Sequence, residues 1–405
     1  MEVTTFGSNF KIKKHKVAAI VHFTVLLIAG MSTVLRPSIE SNITLFRVLL
    51  PFLFVWLFMV NTKKAIELSG IIILFLVYSL VVSYLSRFQT FSIVFNLYYI
   101  TVFFFFYYYK EVLKACGVIP IYKFLTVFFK IIIILGLIQF FFGGVYFNTQ
   151  DRLPAINIFF WNENEYSSVL AIFVPLYYLR EKALTKYIWI VLAIFLMAYN
   201  DAKLAVFSLI VFFGGVFILK NKLLKIRYLG FALLAIIGVL LLFFLREYSI
   251  QGEYTIEYFL SRLGEHVWTG EPLVHIGTFN ARSNAVILGI KEFVNSYFLG
   301  IGPGNSLPMM LEIVVPGTER YTALSMHNFT LQIITEMGIF GLLIITSFVW
   351  KIVKAAEQSF YGTNLVIVFF LSCLISITLL SGAWSNYFYL FILFYALDFF
   401  KENVQ

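Results

Sequence analysis

A helix that crosses a bilayer needs about 20 consecutive apolar residues, and this chain offers such runs one after another, parted by short clusters of lysine. That alternation predicts twelve transmembrane helices, over 17–35, 44–60, 66–85, 91–109, 122–142, 166–179, 187–201, 204–219, 228–245, 328–350, 363–381 and 384–399. The two segments at 166–179 and 187–201 are short for a crossing. The fold class expected is therefore all-α, a polytopic membrane protein of about 12 spans, with residues 1–405 forming one transmembrane domain. Composition agrees, at 61% hydrophobic and 13% charged residues with 48 Phe and 24 Tyr. A soluble chain has roughly 45–50% apolar and about 25% charged residues. The N-terminal basic region (Lys11, Lys13, Lys14 and Lys16) precedes an apolar run without a small-residue cleavage site, which reads as a retained signal anchor.

The net charge of +9 suggests nucleic acid, but its distribution points elsewhere. Cytoplasmic loops of membrane proteins collect Lys and Arg. With the N-terminus in the cytoplasm, eighteen cations fall inside, from Lys11 to Lys401, and ten outside, with Lys123 and Lys130 within the fifth span. Every predicted inner loop holds at least two, and both termini are then cytoplasmic. The kind of cation differs as well. The inner set is nearly all Lys, whereas the outer set has eight Arg (Arg36, Arg47, Arg87, Arg152, Arg246, Arg262, Arg282 and Arg320) beside Lys203 and Lys291. A guanidinium binds phosphate oxygens in pairs, and an ammonium acts as a point charge. The outer face thus suits an anionic, phosphate-bearing substrate, or else carries Arg that reaches to lipid headgroups.

The longest non-membrane segment, 246–326, lies on the outer side, while every cytoplasmic loop is short. No nucleotide-binding domain fits in those loops, so a substrate is expected to arrive already activated within the membrane. Inside the long loop, Asn284–Leu299 reads as an amphipathic helix with Val286, Ile290, Phe293 and Tyr297 on one face and Lys291, Glu292, Asn295 and Ser296 on another. Such a helix lies along the membrane or covers the bundle as a lid. Gly300, Gly302 and Gly304 end it, as a glycine-rich turn rather than a phosphate loop, since no strand precedes them.

His327 and Asn328 open the next apolar run. A histidine there serves equally well as a general base near neutral pH or as an interfacial hydrogen-bonding group. Asp201 and Lys203 flank a tight interhelical turn, as an ion pair or as substrate contacts. Lys130, deeper in its helix, is expected to snorkel toward the cytoplasm. The three Asp residues are scattered, the five His lack ligand spacing, and Cys116 and Cys373 are far apart, so neither a metal nor a cofactor is expected.

Several of these residues together resemble a known family. The stretch His327-Asn-Phe-Thr-Leu-Gln-Ile-Ile-Thr-Glu-Met-Gly-Ile-Phe-Gly341 is similar to the HN-x-x-L-Q-x-x-x-E-x-G-x-x-G pattern of bacterial O-antigen polymerases and O-antigen ligases. Arg282, the loop helix and Gly300-Ile-Gly-Pro-Gly304 follow the order found in that family's periplasmic loop. Arg152 and the segment Phe160, Trp161, Asn162, Glu163, Asn164 and Glu165 resemble its Arg and Asn-rich helix start. The resemblance covers about 150–350, and the first four helices by topology alone. One departure is Ala202-Lys203, where the family often has Ser-Arg; Lys203 can hold a phosphate but not with a fork.

The resemblance implies an inner-membrane glycosyltransferase of lipopolysaccharide biosynthesis. Its donor and acceptor are glycans on undecaprenyl pyrophosphate at the periplasmic face, with an inner-membrane chain-length regulator as protein partner and no nucleic acid. A polymerase is expected, of the O-antigen or capsule type. His327 and Arg282 are its catalytic residues, with Arg152, Arg320, Arg47, Lys203 and Asn328 as substrate contacts. The alternatives are a ligase that transfers glycan to lipid A–core, and, from another class, a flippase for lipid-linked oligosaccharide. Transporters commonly show repeated halves, which this chain lacks.

Overall fold

The computed structural model describes residues 19–29, 45–86, 92–142, 156, 158, 160, 163–200, 202–220, 278–311, 328–377 and 387–402. Among these the chain is helical, with no strand. The helices are α1 (Ala19–Ala29), α2 (Leu45–Val60), α3 (Thr62–Leu85), α4 (Ser92–Cys116), α5 (Val118–Phe142), α6 (Glu163–Arg180), α7 (Lys186–Tyr199), α8 (Lys203–Lys220), α9 (Thr278–Asn295), α10 (Ser306–Leu311), α11 (Phe329–Glu357), α12 (Thr363–Ile377) and α13 (Tyr387–Phe399).

Eleven of the twelve predicted segments each fall on one of these helices, and 228–245 lies outside the described residues. By length and composition, three helices can cross a membrane: α3, α5 and α11. Helices α1, α2, α7, α8, α12 and α13 are apolar but shorter, so helix lengths fit a membrane protein without yielding twelve full spans. Where hydropathy and structure differ, the reason is visible. Predicted spans ended at 109 and 350, where charge begins, yet α4 and α11 continue to Cys116 and Glu357. Backbone hydrogen bonding does not stop at a lysine, whose stem can lie on apolar surface while its ammonium reaches outward. Lys351 does this, its Nζ 4.1 Å from the Phe106 ring centre.

Short connections fold the helices into antiparallel hairpins. Asn61 alone joins α2 to α3 and caps α3 by accepting from the Lys64 amide at 3.2 Å. Gly117, at φ 78°, joins α4 to α5, a conformation that glycine adopts at little cost. Residues 358–362 join α11 to α12, and the Phe360 amide bonds the Phe400 carbonyl at 3.3 Å. These turns gather at one end of the bundle, together with Lys64, Lys110, Arg180, Lys186, Lys220 and Lys354. Contacts between elements tie that end together: Lys110 to Asp398 at 2.7 Å, Asn61 to Glu111 at 2.8 Å, and Lys220 to the Tyr178 hydroxyl at 3.1 Å. The lysine clusters thus share one end, the arrangement that the alternating charge pattern implied.

Lys130 leans the same way, its Nζ 5.6 Å from the Trp189 ring and 6.0 Å from Tyr177. The interior between the ends is largely aromatic. Phe128 stacks on Phe388 at 3.6 Å between ring centres, and Tyr99, Tyr108, Tyr166, Tyr177 and Tyr389 are fully buried.

Candidate functional site

At the other end of the bundle, α11 is broken. Gly338 has φ 53° and ψ −132° within the helix, a region of backbone space open essentially to glycine alone. A break frees amides and carbonyls that must find partners in a dry environment. Here a second segment supplies them. The Ile301 amide donates to the Thr335 carbonyl at 3.0 Å and the Gly302 amide to the Glu336 carbonyl at 2.9 Å. In return, the Ile339 amide donates to the Phe298 carbonyl at 2.8 Å. The Tyr78 hydroxyl, on α3, reaches the carbonyls of Met337 at 2.8 Å and Leu299 at 2.6 Å. The glycine-rich stretch read from the sequence as a turn is therefore also a plug, seated in the gap of α11.

The glycines make that seat possible. A Cβ on Gly338 would lie 2.2 Å from the Phe298 oxygen, and one on Gly300 would lie 2.5 Å from the Gly338 nitrogen. Gly300, Gly302 and Gly304 all have positive φ, between 79° and 95°. A Cβ on Gly304 would enter the Phe95 ring. That ring stacks on Tyr98 at 5.2 Å, and the Arg47 guanidinium lies 3.7 Å from the centre of Tyr98. Arg47, on α2, is thereby joined to the glycine loop through two stacked rings of α4.

Glu336 is the polar centre of this junction, and it is fully buried. Its carboxyl accepts from the Tyr99 hydroxyl at 2.5 Å, from Ser306 and from the Gln332 amide at 2.9 Å. All three side chains can donate to it, and the Gly304 backbone adds a further hydrogen bond. Glu336 thus links α4, the start of α10 and α11. Nearby, Asn305 donates to the Ile301 carbonyl at 2.6 Å and to Ser86 at 3.2 Å. The Asn328 side chain caps α11 by accepting from the Leu331 amide at 3.0 Å, in the usual manner of an N-cap asparagine.

Helix α9 lies alongside α11. The predicted amphipathic helix, Asn284–Leu299, is observed at Thr278–Asn295, and the chain turns back at Tyr297 and Phe298, both at positive φ. The helix turns its small residues toward α11. Ala285, Leu288 and Gly289 are buried, packed with Ile301, Met309 and Met310, whereas Ile290, Val294 and Tyr297 are exposed. Small residues let two helices approach closely, and large apolar ones are left for other surroundings. The Thr335 hydroxyl donates to the Gly289 carbonyl at 3.2 Å, and further along both segments Phe298 meets Ile339. The two helices therefore run in the same direction. Arg282 and Asn328 each lie seven residues before that Gly289–Thr335 contact, or roughly 10 Å back along their helices at 1.5 Å per residue. Counted along the two helices, the backbone of Arg282 thus stands as far from that contact as the N-cap of α11 does.

Of the other predicted site residues, Lys203 begins α8, just after a turn held by Asn200. The Asn200 side chain exchanges two hydrogen bonds with the Ile156 backbone, at 2.9 and 2.8 Å. The Ile158 amide, at φ 52°, donates to Gln139 at 2.9 Å. His327, Arg152, Arg320 and Asp201 lie outside the described residues. What sequence reasoning missed was Glu336 as a hub, together with Tyr78 and Tyr99. Glu336 stood out in one respect, as a carboxyl in the middle of an apolar run, where intramembrane charge marks a site.

Among the described residues no three His, Cys, Asp or Glu side chains gather closely enough to hold a metal ion. Compared with known proteins, the chain matches no family model, and no curated protein matches it.

Proposed function

We propose that this chain is an inner-membrane glycosyltransferase that polymerises oligosaccharide repeat units carried on undecaprenyl pyrophosphate. The observation that carries this reading is the junction itself. The two stretches that resemble the O-antigen polymerase and ligase family, distant in sequence, interlock through Gly300, Gly302, Glu336 and Gly338. Beside that junction runs the helix bearing Arg282, as far back along it from the Gly289–Thr335 contact as Asn328, the neighbour of His327, is along α11. The opposite, lysine-rich end is taken as cytoplasmic, following the positive-inside rule. Both termini are then cytoplasmic, the chain crosses twelve times, some helices tilting or stopping short, and the glycine-loop end faces the periplasm.

In this reading an acceptor sugar hydroxyl attacks the anomeric carbon of the donor glycan. The new glycosidic bond forms as the bond to undecaprenyl pyrophosphate breaks. His327 takes the hydroxyl proton. Arg282 and Arg152 bind the departing pyrophosphate, with Arg320, Arg47 and Lys203 contributing positive potential. Arg47, held against Tyr98 by an attraction worth about 0.5–2 kcal/mol, sits on the flank of the glycine loop. No metal is required for such a leaving group when guanidinium supplies the charge.

The test is purified protein in detergent with lipid-linked repeat units and excess EDTA. A ladder of lengthening lipid-linked polymer is the expected result. Transfer only to lipid A–core would make the protein a ligase, and no transfer at all, with transport activity in sealed vesicles, would make it a flippase. Activity that vanishes with EDTA and returns with Mg²⁺ would overturn the metal-free part.

A further inference from the structure

Far from the glycine loop, at the lysine-rich end, three buried polar atoms gather with no partner outside their own group. Arg180 ends α6, and its guanidinium lies 4.8 Å from the centre of the Tyr122 ring on α5. Its Nη1 is buried and has no hydrogen-bond partner among the described residues. The Tyr122 hydroxyl and, one turn further along α5, the Thr126 hydroxyl are buried beside each other, with no partner outside that pair among the described residues. Buried polar groups in folded proteins are nearly always satisfied, and one that is not calls for a ligand, an ion or a water.

The surroundings favour an anion. Among the described residues no carboxylate lies within ion-pair distance of Arg180. The adjacent Glu181 turns its carboxyl to the Ala183 amide at 3.2 Å, with its charge still felt at Tyr122. Tyr361 and Tyr395 lie within electrostatic range of the guanidinium; the Tyr395 hydroxyl donates to the Val118 carbonyl at 3.5 Å, and Glu402 acts on Tyr395 from further off. Helix α5 begins at this end, so its N-terminal dipole is favourable to negative charge. The C-terminal end of α6 opposes with about half a charge, less than the full charge of Arg180. At the same level Lys186 donates to the Tyr178 and Glu181 carbonyls and Lys220 to the Tyr178 hydroxyl, so two further positive charges stand beside the C-terminal end of α6.

We propose that Arg180, Tyr122 and Thr126 form a phosphate-binding seat at the lysine-rich end of the bundle, of the kind that takes the headgroup of an anionic phospholipid. The guanidinium supplies paired donors and the two hydroxyls supply one each. The seat is independent of the polymerase reading, since it lies at the end of the bundle away from the glycine loop.

The experiment is thermal unfolding of the full chain in uncharged maltoside detergent. It is titrated with dioleoyl phosphatidylglycerol, with dioleoylglycerol (the same chains without phosphate), or with inorganic phosphate. Phosphatidylglycerol should raise the unfolding temperature and dioleoylglycerol should not. Arg180→Gln should raise the half-saturating lipid concentration about tenfold, and Tyr122→Phe, which keeps the ring, by about threefold. Stabilisation by inorganic phosphate with the same Arg180 dependence would identify the free anion as a ligand of the same seat. A response only to the lipid would identify the headgroup. Equal responses of wild type and Arg180→Gln, or equal effects of dioleoylglycerol and phosphatidylglycerol, would overturn the proposal. Should Arg180→Gln fail to fold, an undiminished lipid response in Tyr122→Phe would do so.

Discussion

The two ends of this bundle hold their charged groups in opposite ways. At the lysine-rich end the cations are many and long, and they lie against aromatic faces: Lys351 on Phe106, Lys186 on Tyr178, Lys354 on Trp350. Their pairs are exposed or half-buried, as with Lys64 and Glu67 at 3.0 Å. At the glycine-loop end, apart from Arg47 on Tyr98, the described polar groups are few and buried. Tyr99 and Ser306 bond Glu336, and Asn305 bonds Ser86 and the Ile301 carbonyl, within a junction that side chains larger than glycine would disrupt. Exposed lysine ends cost little to rearrange and serve orientation. A buried carboxyl held by several donors is rigid, and rigidity is what a functional site needs from its supports.

If the ends differ in this way, the same kinds of change should have unequal effects. The largest is expected at His327. His327→Ala should lower turnover about 10²–10⁴-fold with little change in substrate affinity, as loss of a proton acceptor does. Initial rates of polymer formation across substrate concentrations measure it, and near-normal turnover at neutral pH would give His327 a structural role instead.

Next in size is Glu336. Glu336→Leu leaves three donors without an acceptor in a dry site and should destabilise the fold by about 3–5 kcal/mol. Glu336→Gln keeps one oxygen for Ser306 and Gln332 and should cost only about 1 kcal/mol. Chemical unfolding in mixed micelles separates the two, and equal stabilities would mean that the network is incidental.

Gly338→Ala should follow, at about 3 kcal/mol, since it adds a strained-backbone penalty of about 1–3 kcal/mol to a backbone clash. Gly214→Ala, in α8 with open space around it, should be neutral or slightly stabilising. Folded yield and unfolding temperature report both, and matching behaviour would remove the distinction between a seated and a free glycine.

The smallest effect belongs to the lysine-rich end. Lys64→Ala breaks an exposed pair and should change stability by about 0.5 kcal/mol or less. A loss of several kcal/mol there would place structural weight on the wrong end.

The same contrast explains what could be read from the sequence. Apolar runs announce helices, so eleven predicted segments fall on observed ones. Lysine clusters announce an end of the bundle, and they gather at one. The break at Gly338 was not legible, because the run from Phe329 to Trp350 is apolar on both sides of it and glycine is common in membrane helices. Only the partner segment reveals the break, and Gly300 is close to it in space rather than in sequence. Which face of α9 meets α11 was not legible for a related reason. Periodicity singled out Val286, Ile290, Phe293 and Tyr297 as the apolar face, but contact with α11 selects the small Ala285 and Gly289, a choice set by the approach distance of the two helices. Glu336 could be suspected as a lone carboxyl in an apolar run, though its three donors, from two other elements and its own helix, could not.

In the proposed function the glycine-loop end uses guanidinium geometry at a pyrophosphate, while the lysines of the other end act by charge alone. The most direct measurement compares polymer length and rate for wild type, Arg282→Lys and Lys354→Arg at equal membrane expression. Arg282→Lys keeps the charge but loses the two parallel donors, so turnover should fall nearly as far as in Arg282→Ala, whereas Lys354→Arg should behave as wild type. Wild-type polymer from Arg282→Lys would contradict the paired-donor role, and wild-type polymer from Arg282→Ala would remove Arg282 from the site.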